Sequence, residues 1–143
     1  MPAGYSGTPL ARKLGIRSGH RIATLHAPAH LPRLLRPLPD GVDIGAEPTP
    51  PPDPSAGYDV VIAFVPRAAE LEDRLGRGRR LLAWDGGLWI AWPKKSSPLH
   101  EDLAREAVRD AGLRAGLVDN KVCAVDDDWS ALRFVDRTGD RPA

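Results

Sequence analysis

Apolar residues recur along this chain in two rhythms. Three continuous runs, RIATLH at 21–26, YDVVIAFV at 58–65 and GLWIAW at 87–92, hold too few polar positions for a strand wet on one face. They read as strands covered on both faces, and the β-branched run at 58–65 reads as the central one. Elsewhere the period lengthens. Leu99, Leu103, Ala107, Val108 and Ala111 fall at helical spacing, with Ser97 and Pro98 as cap and first turn and Gly112 as the stop. Ala68, Leu71 and Leu75 share one face of a helix over 66–75, which Gly76 and Gly78 are expected to end. Thr8 and Pro9 open a short helix that Gly15 closes, and residues 30–36 predict another, compromised by Pro32. VDIGA at 42–46 predicts a strand ending at Glu47. PTPPPDP at 48–54 lacks ladder donors and favours an extended conformation, so 48–57 is expected as a Pro-rich surface loop. KVCAV at 121–125 and ALRFV at 131–135, separated by DDDWS, predict an antiparallel hairpin.

Strands alternating with helices imply a parallel sheet with right-handed crossovers, and here the series ends in a hairpin. The expectation is one α/β domain over residues 1–143, Rossmann-like, with about six strands, mostly parallel, closed by an antiparallel pair. Such a sheet resembles the closing half of the class I methyltransferase fold, truncated where the Pro-rich loop stands, with two helices and one strand fewer than the usual core. GYSGTPLARKLGI, WPKKSS and GLVDNKVCAVDDDWSALRFV resemble the bacterial domain-of-unknown-function family 3052, across nearly the whole chain. That resemblance implies fold and extent; the family's own activity is unassigned, so it implies no reaction.

Composition narrows the partners. At 143 residues and 42% hydrophobic, the chain can bury roughly two thirds of the surface its unfolded form exposes. Lys plus Arg number 20 against 19 Asp plus Glu, a balance that implies neither nucleic acid nor an anionic membrane as partner. Only Lys13, Lys94, Lys95 and Lys121 are lysine. Where arginine is the common cation, a lysine marks a place where a compact ammonium is useful. No apolar stretch reaches the roughly 18 residues of a membrane span, and MPAGYSGTPLARK lacks the apolar core of a signal peptide, so a cytoplasmic location is expected. Cys123 stands alone and cannot form an internal disulfide or a cysteine-based zinc site, in keeping with a reducing compartment.

Ligands of open α/β sheets bind outside the carboxyl ends of the parallel strands, and WPKKSSP lies at such an end. Lys94, Lys95, Ser96 and Ser97, with the free N–H groups of a helix starting near Pro98, are expected to hold a small anion. Trp92 would form a wall and Lys121 add a further charge. The competing reading has Ser97 only capping that helix and the lysines solvated. The turn after the first strand, HAPAH at 26–30, has no glycine, and Pro28 has no N–H, so no cofactor is expected there. In the alternative reading, a divergent S-adenosylmethionine-dependent methyltransferase, His26, His30 and Glu47 would line the cofactor pocket. His26 and His30 lack a third partner for a metal, and no catalytic residue is assigned. Asn120 and Lys121 match part of a guanine-reading motif, but Cys123 replaces its aspartate and no phosphate loop exists. Arg74, Arg77, Arg79 and Arg80 lack interleaved aromatics and read as helix C-terminal charges. The expected function is a non-catalytic module that binds a small anionic ligand or a protein partner. A structural or oligomer-forming role, through a sheet edge or the Pro-rich loop, is the remaining alternative.

Overall fold

The computed structural model describes residues 8–51, 53 and 56–136. The two ends of the expected domain, and residues 52, 54 and 55 of the Pro-rich loop, lie outside them. In chain order the elements are α1 (Leu10–Lys13), β1 (Arg21–Leu25), α2 (Leu31–Leu34), β2 (Asp43–Ala46) and β3 (Tyr58–Phe64). A short 3-10 turn leads into α3 (Leu71–Leu81), followed by β4 (Leu82–Pro93), α4 (Arg105–Arg114), β5 (Leu117–Ala124) and β6 (Trp129–Asp136).

The six strands form one sheet in the order β2-β1-β3-β4-β6-β5. The first four are mutually parallel, and β6 pairs antiparallel with both β4 and β5. The expected α/β sheet with a closing hairpin is therefore the observed one. Its continuous apolar runs follow from burial on both faces. Along β3, Val60, Ile62 and Phe64 pack with Ala11, Leu14, Leu31 and Leu35 of the α1 and α2 side. Val61 and Ala63 pack instead with Leu71, Leu75, Val108 and Ala111 of α3 and α4. Each fully buried Ile, Leu or Phe side chain contributes roughly 1.5–3 kcal/mol. At the C-terminus of α1, Trp89 Nε1 donates to the Leu14 carbonyl at 3.0 Å, satisfying a group the short helix leaves open.

Three boundaries differ from the sequence reading. Gly76 and Gly78 lie inside α3 instead of ending it. Gly78 is buried, and a Cβ there would come within 2.6 Å of Leu88, so close packing on the sheet outweighs poor helix propensity. The strand expected at 87–92 begins at Leu82, with a register shift against β3 between Tyr58 and Val60, which pair with Leu82 and Gly87. The third correction bears on function: no helix starts at Pro98. Residues 95–99 form turns, and α4 begins at Arg105.

Candidate functional site

The carboxyl ends of β1 and β3 are where this architecture places ligands. A crevice of about 290 Å³ opens there, with His26 and Pro28 on one side, Pro66, Arg67 and Arg74 on the other, and Trp129 beside them. His26 and Glu47, which directly follow β1 and β2, both adopt positive φ, at 54° and 49°. For residues with a Cβ this conformation is uncommon and needs support from its surroundings. The support is mutual. His26 N–H donates to Glu47 Oε2 at 2.5 Å, and Glu47 N–H donates to the Thr24 carbonyl at 2.8 Å. From α3, Arg77 donates to Glu47 Oε1 and to His26 Nε2, each at 3.2 Å. Both carboxylate oxygens of Glu47 are thus engaged by the chain. Deeper in, Arg74 is only 4% exposed, and its guanidinium donates to the Phe64 carbonyl, Asp73 and Glu70.

His30 stands apart from His26. Its Nε2 lies 2.9 Å from Asp126 Oδ2, and a carboxylate only accepts, so the imidazole carries its proton on that nitrogen. Asp126 Oδ1 also accepts the N–H groups of Asp128 and Trp129, which folds the β5–β6 turn and sets Trp129 edge-on to Phe64 at 5.0 Å. The DDDWS segment is thus the expected hairpin turn, held by Asp126. Among the described residues, no three His, Cys, Asp or Glu side chains gather as a metal site.

The WPKKSS junction is assembled differently from the expectation. Ser97 is buried, donating to Asp128 Oδ1 at 2.8 Å while its hydroxyl accepts the Leu99 N–H at 3.0 Å. This local bond diverts the backbone from a helix. Lys94 N–H donates to the Asp128 carbonyl at 2.8 Å, pinning the junction to the hairpin turn. Lys95 and Ser96 are exposed, while Trp92 is 6% exposed inside the α3–α4 core and forms no wall of an open site. Lys121 is not there either. It pairs with Arg133, which lies opposite Trp89, four residues down β4 from Pro93. At roughly 3.3 Å per residue the separation is about 13 Å. Lys121 instead lines a cavity of about 300 Å³ at the amino ends of the parallel strands, with Arg133 and Arg17. Nearby on β5, burial pushes the Cys123 thiol up to about 11, only partly offset by Lys13, which agrees with an inert thiol.

Sequence reasoning missed Arg77, Asp126 and Asp128 as organisers of this edge. Helical spacing from Asp73 could have flagged Arg77, but its reach to Glu47 spans 30 residues.

No protein-family model matches the chain, and no curated protein matches it. Solved structures do. A TehB-like SAM-dependent methyltransferase from Corynebacterium glutamicum superposes with a TM-score of 0.54 at 12% identity, covering 94% of this chain and 91% of that one. A SAM-dependent methyltransferase from Aquifex aeolicus gives 0.55 at 14%, over 87% and 86%. The Methanococcus jannaschii fibrillarin pre-rRNA processing protein gives 0.58 at 15%, over 90% and 68%. The fold is class I methyltransferase-like. At such identities the likeness shows architecture alone, and the residues at the crevice decide what the architecture is used for.

Proposed function

We propose that the chain is a small Rossmann-like binding module for an anionic ligand, and that it does not transfer methyl groups. Glu47 carries the reading. It directly follows β2, 21 residues after His26, where a ribose-binding carboxylate stands in nucleotide-binding sheets, yet His26 and Arg77 hold both of its oxygens. S-adenosylmethionine, which the similarity to methyltransferases would imply, fits these residues poorly. The first βα turn has no glycine to admit a ligand to the backbone, Pro28 has no donor, and the His26 N–H is committed. The crevice, at about 290 Å³, falls just below the roughly 300–1,000 Å³ of ligand pockets.

Calorimetric titration with S-adenosylmethionine tests this. No heat of binding is expected. Micromolar affinity, lost in Glu47→Gln, would establish the divergent methyltransferase pocket in its place.

A further inference from the structure

We propose that the cavity at the amino ends of the parallel strands, opposite the methyltransferase-type crevice, binds the phosphate of a small organic phosphate through Arg133, Lys121 and Arg17. The proposal rests on the binding-module reading for the class of ligand, but its location stands on separate observations.

The cavity lies between the end of α1 and the sheet. Lys13 and Arg17 approach from the helix side, Asp59 and Asp85 from β3 and β4, and Lys121 and Arg133 from β5 and β6. Arg133 interrupts an otherwise buried strand: Ala131, Leu132 and Phe134 around it are each at most 1% exposed. Room for its guanidinium comes from Gly87 on β4, where any Cβ would fall onto the Arg133 side chain. The sheet has been left open there to accommodate a cation. Yet among the described residues the guanidinium has no hydrogen bond or ion pair, whereas Arg74, Arg77, Arg79 and Arg109 all have carboxylate partners.

Its cross-strand neighbour adds to the imbalance. Lys121 pairs directly with Arg133, and like charges opposite each other weaken a sheet. A half-buried arginine facing a lysine is electrostatically incomplete, and burial lowers the Arg133 pKa below its ordinary value. A bound phosphate would supply the missing charge, and guanidinium and ammonium donors suit its oxygens. The four cations of the lining outnumber its two carboxylates. Asp59 Oδ2 already accepts the Arg21 N–H at 2.8 Å. The remaining carboxylate capacity suits ligand hydroxyls, which is why an organic phosphate bearing hydroxyls is favoured over a bare anion.

Calorimetry at constant ionic strength, with inorganic phosphate and with ribose 5-phosphate, tests the site. Wild-type protein should bind both, the sugar phosphate more tightly. Arg133→Met and, separately, the exposed Lys121→Met should each weaken binding about tenfold or more, the scale of one lost charge-assisted bond. Lys94→Ala/Lys95→Ala should leave it unchanged. Binding lost in the Lys94/Lys95 variant and kept in the other two would overturn this location while leaving an anion-binding module intact. Absence of phosphate binding in folded wild-type protein would overturn the site, and the S-adenosylmethionine titration would judge the other reading independently.

Discussion

The two ends of the sheet handle charge in opposite ways. At the carboxyl end, Glu47, Asp126 and Asp128 direct their oxygens to neighbouring residues of the chain, and Arg74 and Arg77 are bonded to carboxylates. At the amino end, Arg133 and Lys121 are cross-strand neighbours that line one cavity, and no described residue forms a hydrogen bond or ion pair with the guanidinium. A region whose polar groups satisfy one another is built for stability, whereas one that keeps like charges together sacrifices stability for something outside the chain. Open α/β sheets in general place ligands at the carboxyl ends of their strands, and that contrast is the ground for proposing a site at the opposite edge here.

Substitutions should separate the ends by sign as well as size. The largest effect is expected from Arg74→Met, which strands the Phe64 carbonyl and the Glu70 and Asp73 carboxylates. With those carboxylates partly exposed, it should cost about 2–3 kcal/mol in urea unfolding. Ser97→Ala removes a buried hydroxyl bonded to Asp128 and the Leu99 N–H, and about 1–2 kcal/mol should be lost by the same measurement. Glu47→Gln keeps the shape but weakens the bonds to Arg77 and His26; at 44% side-chain exposure the loss should be about 1 kcal/mol or less. At the amino end the sign reverses. Arg133→Met removes a half-buried charge opposed by Lys121, so unfolding free energy should stay level or rise by up to about 1 kcal/mol while phosphate affinity falls. A clear destabilisation would show that Arg133 is structural. The last effect concerns pH and is absent at neutrality. Burial raises the folded-state pKa of Cys123 from 9.0 to about 11, so folding favours the protonated thiol. Its contribution is fully present below pH 9.0 and is lost as pH rises toward about 11. Cys123→Ser should flatten the stability profile over that window and leave it unchanged at neutrality.

Much of the fold was legible in the sequence, because burial on both faces writes itself into composition. The run at 58–65 gave a central parallel strand, and 121–125 with 131–135 gave the hairpin, which extends further at both ends. Local signals failed where packing overrode them. Gly78 looks like a breaker until Leu88 is seen against it, and Ser97–Pro98 looks like a helix start until Asp128, 31 residues away, takes the hydroxyl. The site was less legible. Lys94 to Ser97 are contiguous, but nothing local reveals that Lys121 lines a cavity at the opposite end of the sheet. Arg133 and Gly87 are brought together only by the β4–β6 register. One trace was present: an arginine inside ALRFV breaks the pattern of a buried strand, and such breaks concentrate at functional sites.

Amide chemical-shift mapping with ribose 5-phosphate and S-adenosylmethionine, added in turn to the same labelled sample, compares the two ends most directly. Shifts with the sugar phosphate confined to Lys13, Arg17, His20, Lys121 and Arg133, and none with S-adenosylmethionine, are the predicted result. Saturable movement of His26, His30 and Glu47 on adding S-adenosylmethionine would contradict it.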